Sequence, residues 1–272
     1  SPQKRTYDNE IAPRLSLLKK IAKEFSVYAS VAKGFSPPTS VEVLPSTGII
    51  TTDLNAEEGW NYEAGARFNW KEKLFVDVNG FLFKLNNTIV QRRDLSGADY
   101  FANAGSTRQR GVETFVQYKI AADDRKFFSQ GNVWLSYTYN DFRYHDFKQL
   151  TNDYSGKQLP SVPKNILAIG FDAMIKPGVY INLTYNYNDK TPLNDANTFY
   201  AGDFHLLAVR VGYKKIFVGK LQAEVFAGAD NLFNETYSLG NDINAAANRF
   251  YNVAPGRNYY GGIALFQRCH KN

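Results

Sequence analysis

From Gly178 to Asn188 the chain alternates without a break: Val179, Ile181, Leu183, Tyr185 and Tyr187 are interleaved with Tyr180, Asn182, Thr184, Asn186 and Asn188. Side chains two residues apart share a face of an extended backbone, so this period selects a β-strand and excludes a helix. Trp60 to Trp70 and Val112 to Ile120 repeat the pattern, the first with Trp60, Tyr62, Ala64, Ala66, Phe68 and Trp70 against Asn61, Glu63, Gly65, Arg67 and Asn69. Strands of soluble sandwiches usually run about 5–6 residues. A strand that crosses a bilayer needs roughly 9–11, tilted. The length of these runs, with charge on one face and aromatics on the other, predicts an all-β fold: a transmembrane antiparallel β-barrel.

Composition removes the competing classes. No stretch approaches the ~18 apolar residues of a membrane-spanning helix. A barrel needs none, because half of each strand faces a polar lumen. Aromatics make up 15% of the 272 residues, a supply that fits interfacial girdles. The net charge is +6, but the basic doublets Lys19-Lys20 and Arg92-Arg93 are too short to predict a nucleic-acid partner. The single Cys269 can close no disulfide within the chain. Ser1 opens no signal peptide, so a processed or truncated chain is expected.

Eleven strands are predicted, near 11–18, 24–35, 60–70, 74–92, 109–121, 131–144, 164–175, 178–190, 204–215, 220–232 and 257–266. Their connections alternate. Residues 19–23, 71–73, 122–130, 176–177 and 216–219 form tight turns. Residues 36–59, 93–108, 145–163, 191–203 and 233–256 form long loops rich in Gly, Asn, Asp, Ser and Pro. Short turns on one rim and long loops on the other are the asymmetry of bacterial outer-membrane barrels, periplasmic and extracellular respectively. An odd antiparallel set puts its two ends on opposite sides and cannot close, and an open edge in lipid leaves unpaired backbone groups. Further strands are therefore expected to complete the barrel.

Specific strings carry a resemblance. Phe35-Ser36-Pro37-Pro38-Thr39, Glu58 through Arg67, Asn103 through Glu113, Gly228-Ala229-Asp230-Asn231-Leu232-Phe233 and Pro255 through Phe266 together resemble the later barrel strands of TonB-dependent outer-membrane receptors. The resemblance implies the second half of a 22-stranded barrel, monomeric when complete, whose plug domain and TonB-contact segment belong to residues not present here. It implies a bacterial outer-membrane location and contact with lipid and lipopolysaccharide. It also implies that the closing strand, with Tyr259, Gly261 and Phe266, is read during barrel assembly. Residues 267–272 then form a tail beyond the closing aromatic.

Function is expected at the outer rim. Arg92 and Arg93 end a long strand, Arg143 and His145 crown another, and Arg249 with Tyr251 lies in the last loop. Guanidinium forks bind carboxylates bidentately and tyrosines add apolar faces, so these residues are the candidates for contact with an anionic Fe(III) chelate, ferric citrate or siderophore. Cobalamin or another nutrient is the alternative cargo; a passive porin is the alternative class. An outer-membrane enzyme would have to be built on His145 with Asp141 and Asp146, the one cluster that could be cast so, though such groups are common by chance on a polar loop and their spacing fits no standard metal site. No catalytic residue, resident metal or cofactor is expected. Inward-facing positions are expected to include Glu63, Arg67, Asp77, Asn79, Glu113, Lys119, Asp172, Asn182, Asn186, Arg210, Gln222, Glu224 and Asp230, with Val179, Ile181, Leu183, Tyr185, Leu221, Val225 and Ala227 toward lipid.

Overall fold

The computed structural model describes residues 11–94, 96–103, 105–122, 128–149, 151–216 and 221–267. Eleven strands form one antiparallel sheet in which neighbours in sequence are neighbours in space. They are β1 Arg14–Lys20, β2 Phe25–Ser36, β3 Glu57–Trp70, β4 Leu74–Asn86, β5 Ser106–Ala122, β6 Phe128–Asp146, β7 Asn165–Ile175, β8 Val179–Asn188, β9 Phe204–Ile216, β10 Leu221–Asp230 and β11 Asn258–Gln267. β1 pairs only with β2, and β11 only with β10, so the described sheet is open at both edges. Of the expected tail 267–272, Gln267 is instead the last residue of β11, paired with Leu221, and residues 268–272 lie outside the described ones.

One expected strand is shorter than its pattern. The alternation of residues 74–92 continues through Ile89-Val90-Gln91, but β4 stops at Asn86 because Asn87 adopts a left-handed φ of 55°. Asparagine tolerates that region. Residues Ile89–Arg93 then leave the sheet and pair with Asp99–Asn103 in a separate hairpin. The expected loop of residues 93–108 therefore begins earlier and is itself β-structured.

Cross-strand register sorts the side chains. The direct pairs Arg67↔Asp77, Asn79↔Glu113, Lys119↔Asn132, Asp172↔Asn182 and Asn182↔Arg210 carry one polar face from β3 to β9. Glu63, Asn186, Gln222, Glu224 and Asp230 share it by parity. Val179, Ile181, Leu183, Tyr185, Val225 and Ala227 take the other face; the Leu221 side chain lies outside the described ones. In β11, Tyr259, Gly261, Ile263 and Leu265 share the apolar face. Phe266 does not: it opposes Gln222 on the polar face, with Lys214 Nζ 5.1 Å from its ring centre.

The polar face also holds rings laid over glycines. Tyr28 covers Gly65, Phe81 covers Gly111, Trp134 covers Gly170, Tyr180 covers Gly212, Phe226 covers Gly262 and Tyr260 covers Gly228. Each ring and its glycine are directly opposed in register. Every such pair joins two strands connected by a long loop: β2–β3, β4–β5, β6–β7, β8–β9 and β10–β11. Across the short-turn pair β3–β4 the ring contact is diagonal, Phe83 to Gly59. A bare glycine weakens a strand, and an aromatic ring across it restores packing and pins the register.

A Cβ on Gly111 would collide with Tyr139 O and stand 2.7 Å from Phe81 Cζ, whereas one on Gly80 meets only Ala64 O at 3.9 Å. Gly111→Ala should therefore cost about 1–3 kcal/mol by overpacking, and Gly80→Ala should stay within about 0.5 kcal/mol of the parent. Urea unfolding midpoints in detergent measure the difference; equal midpoints would remove the role of the covered glycines.

Candidate functional site

The five long loops are tied to one another. The segments near 37–56 and 87–105 meet where the Asp99 amide donates to Ser46 Oγ at 2.6 Å, the Asn55 amide to Asn103 Oδ1 at 2.8 Å and the Ile89 amide to Glu57 Oε1 at 2.7 Å. The segment near 147–164 meets the segment near 189–203 where the Gln158 amide donates to Asn197 Oδ1 at 2.7 Å and the Ser161 amide to Pro192 O at 2.9 Å. The last loop joins where the Asn244 amide donates to Leu193 O at 2.9 Å. Leu193, Ala201, Ala245 and Phe250 form a small buried core beneath these ties.

Asp195 is the centre of the assembly. It is 4% exposed, and Arg92, 5% exposed, donates to its Oδ2 through Nη1. The Tyr144 hydroxyl donates to its Oδ1 at 2.5 Å, and its own amide donates to Asn244 Oδ1 at 3.1 Å. The Arg92 guanidinium also lies 4.5 Å from the centre of the Phe147 ring, which packs on Tyr144 and Tyr154. Burial pulls the Arg92 pKa below the usual guanidinium value. Two other chain segments thus converge on the Asp195 carboxylate, and a third holds its backbone amide.

The candidate residues fall into three settings. Arg92 is inside the loop assembly as a tie to Asp195, not a cation open to the rim. Arg143 projects from the face of β6 opposite the polar one; its Nε donates to Asp141 Oδ1 at 2.6 Å and its Nη1 to Gly156 O at 2.8 Å. Arg110 holds the other oxygen of the same carboxylate at 2.7 Å, so both Asp141 oxygens are engaged; His145, four residues further along β6, is exposed. Arg249 and Tyr251 are exposed on either side of the buried Phe250, and the Tyr251 hydroxyl donates to Tyr200 O at 3.4 Å. The Arg93 side chain lies outside the described ones. Among the described residues no group of three His, Cys, Asp or Glu side chains is placed to hold a metal ion.

Below the loops the polar face is cross-linked. Arg67 donates to Asp77 at 2.7 Å, and the Tyr28 hydroxyl donates to the same carboxylate at 3.1 Å. Six strands on, Arg210 donates to Glu224 at 2.8 Å and Tyr180 donates to it at 2.5 Å, with Lys214 3.8 Å away. A cavity of about 540 Å³ opens beside this second network, lined in part by Lys119, Asp172, Asn182 and Arg210.

An eleven-stranded sheet with a polar inner face, an apolar outer face and long interlocked loops on one rim can be compared with known proteins. The family described as TonB dependent receptor-like, beta-barrel, matches residues 2–232. The chain belongs to this family. It is therefore an outer-membrane protein of a Gram-negative bacterium. The ferrichrome outer membrane transporter/phage receptor of Escherichia coli K12 is 26% identical over 216 residues, which are 77% of this chain and 26% of that protein. The ferric yersiniabactin uptake receptor of Yersinia pestis superposes with a TM-score of 0.69 at 19% identity, over 93% of this chain and 36% of that one. The copper transporter OprC superposes with a TM-score of 0.71 at 16% identity, over 94% and 40%. This receptor chain thus spans about a quarter of its curated relative's length and between a third and two fifths of the solved ones.

Removing one partner of a buried ion pair typically costs about 3–5 kcal/mol, because the other charge stays buried and unpaired. Arg92→Ala should therefore loosen the loops at 147–164, 189–203 and 241–254 together, seen as faster amide hydrogen exchange there with strand protection unchanged. Arg92→Ala combined with Asp195→Ala should cost less than the two single changes added. Additive effects would show that the pair does not couple the loops.

Proposed function

We propose that the receptor binds an anionic Fe(III) chelate, a siderophore or ferric citrate, at its outer rim and imports it with TonB-coupled energy. Membership of a receptor family over residues 2–232 carries the reading, with the ferrichrome transporter among the relatives. The iron is cargo, not a resident cofactor. The plug domain and TonB contacts that the family likeness implies are part of the same proposal.

Within the rim, Arg249 and Tyr251 are the residues best disposed to meet a ligand. Phe250 anchors them in the buried core of the loop assembly while both neighbours stay exposed. A recognition site is cheaper to order when its backbone is held before the ligand arrives. We assign Arg93 and His145 to the same rim, with the Arg92–Asp195 pair framing it.

A charge-assisted hydrogen bond to a carboxylate contributes about 1.5–3 kcal/mol, so losing Arg249 should weaken chelate binding roughly tenfold or more. Growth of an iron-starved strain on single chelates, with the intact receptor and with Arg249→Ala/Tyr251→Ala, measures this. Receptor-dependent growth on an Fe(III) chelate that falls in the double variant is the expected result. Uptake of cobalamin or an oligosaccharide with no chelate supported would overturn the cargo assignment.

A further inference from the structure

The rim opposite the long loops carries a charge pattern that chelate binding does not use. Its five short connections, with the strand ends beside them, lie within residues 19–24, 71–73, 119–130, 176–177 and 214–216. Among the described residues these segments hold nine lysines, no arginine and two acids, Glu24 and Glu72. That is a net +7, where the whole chain sums to +6. Each of the five has at least one lysine. The positive charge of the chain is therefore concentrated on the side that faces the periplasm.

These cations are not used up within the chain. Lys214 stands 3.8 Å from Glu224, and Lys71 Nζ lies 5.3 Å from the centre of the Trp70 ring. Lys19, Lys20, Lys23, Lys73, Lys119 and Lys176 are exposed and have no ion pair among the described residues. Lys73 and Lys119 are directly opposed, the Lys119 amide donating to Lys73 O at 2.8 Å. Both line a cavity of about 340 Å³. Like charges directly opposite one another destabilise a sheet. The turn before them is costly as well. Lys71 and Glu72 have φ of 49° and 55°, a conformation that Asn-Gly adopts with less strain. Repulsion and backbone strain kept together on one turn point to a use for its charge.

Parity argues against lipid headgroups as the counter-charge. Only Lys19 and Lys215 fall on the lipid-facing parity, opposite Val27 and Ala223. Lys20, Lys119 and Lys214 have the inward parity, opposite Ser26, Asn132 and Glu224. Lys23, Lys71 and Lys176 lie on the connections, beyond the paired strands. Adjacent strands are ~4.8 Å apart, so successive connections are spaced about 10 Å and the set spans about 40 Å of rim. The screening length at physiological ionic strength is about 8 Å, so each connection acts as a separate point of charge. Interfaces between proteins are enriched in arginine and aromatic residues and depleted in lysine. A lysine is a hydrated point charge on a flexible stem and demands no fixed partner geometry. A row of them fits a polymer with repeated, mobile anionic groups.

We propose that the periplasmic rim holds the peptidoglycan of the cell wall through the free carboxylates of its peptides, which meet the lysines of successive short connections. Several weak contacts to one polymer add up without a close-fitting pocket. The barrel is thereby moored to the wall beneath the membrane.

The protein expressed at its full encoded length, in detergent, is sedimented with peptidoglycan sacculi freed of attached protein. It should pellet with them at low salt and be released as NaCl rises from about 50 to about 500 mM. Sacculi whose carboxylates have been converted to amides should bind about tenfold or more weakly. Lys23→Gln/Lys71→Gln/Lys176→Gln should weaken binding to native sacculi about tenfold. Lys23→Arg/Lys71→Arg/Lys176→Arg should bind as the parent does, and Lys148→Gln/Lys157→Gln/Lys190→Gln on the outer rim should change nothing. Heat-modified gel mobility shows that each variant is folded, and chelate uptake is not part of the readout. Equal binding of native and amidated sacculi, or unchanged binding by the folded glutamine variant of the short connections, overturns the inference. Binding only to sacculi that keep their attached protein overturns it in favour of a protein partner. Release from the sacculi by phosphatidylglycerol at comparable charge concentration overturns it in favour of lipid.

Discussion

Inside a hydrocarbon layer a backbone amide or carbonyl has no water to bond, so each strand must take all its partners from the strands beside it. That requirement organises the molecule. It explains why the eleven strands follow one another in sequence order, each hairpin meeting the need of its neighbour. It also explains where the sheet ends its regular pairing. β6 runs 19 residues, well past the roughly 9–11 needed to cross the bilayer, and its upper end delivers Tyr144 to the loops. Once above the membrane the chain is free to break register, as it does at Asn87, and to build separate hairpins.

The inner face solves a different problem, that of holding charge on a wall that is neither fully wet nor fully dry. Two networks six strands apart use the same parts. In one, Tyr28 covers Gly65 and shares Asp77 with Arg67, which lies 4.8 Å above the Tyr28 ring. In the other, Tyr180 covers Gly212 and shares Glu224 with Arg210, which lies 3.8 Å above Phe226. In each, one ring shields backbone while its hydroxyl bonds the carboxylate that holds the arginine. Packing and charge balance come from the same few side chains, and each network spans three strands.

Period-two alternation made the strands legible, because a register of two is visible within a single segment. The same rule over-read residues 74–92: Ile89-Val90-Gln91 does continue a strand, but one that pairs with Asp99–Asn103, and only the backbone angle at Asn87 separates the two. The inward set from Glu63 to Asp230 was readable for the same reason as the strands. The setting of Arg92 was not, since its partner Asp195 is 103 residues away and neither belongs to a repeating pattern. Arg249 and Tyr251 were readable as rim residues, but the core position of Phe250 between them was not. The glycine–aromatic pairs were invisible for a related cause. They exist only when the register between strands is known, and a single strand cannot state it.

The placement of the covered glycines has a consequence for how such a wall can change over time. A long connection costs little more entropy as it lengthens, each doubling adding about 0.6 kcal/mol, but a longer tether specifies the alignment of its two strands less well. Here every pair of strands joined by a long connection carries its own ring-and-glycine lock below the rim. Alignment is therefore set by the wall and not by the tether. Residues can be added to or lost from a surface segment without the strands beneath it slipping, so the outer surface is free to diversify while the barrel stays the same shape.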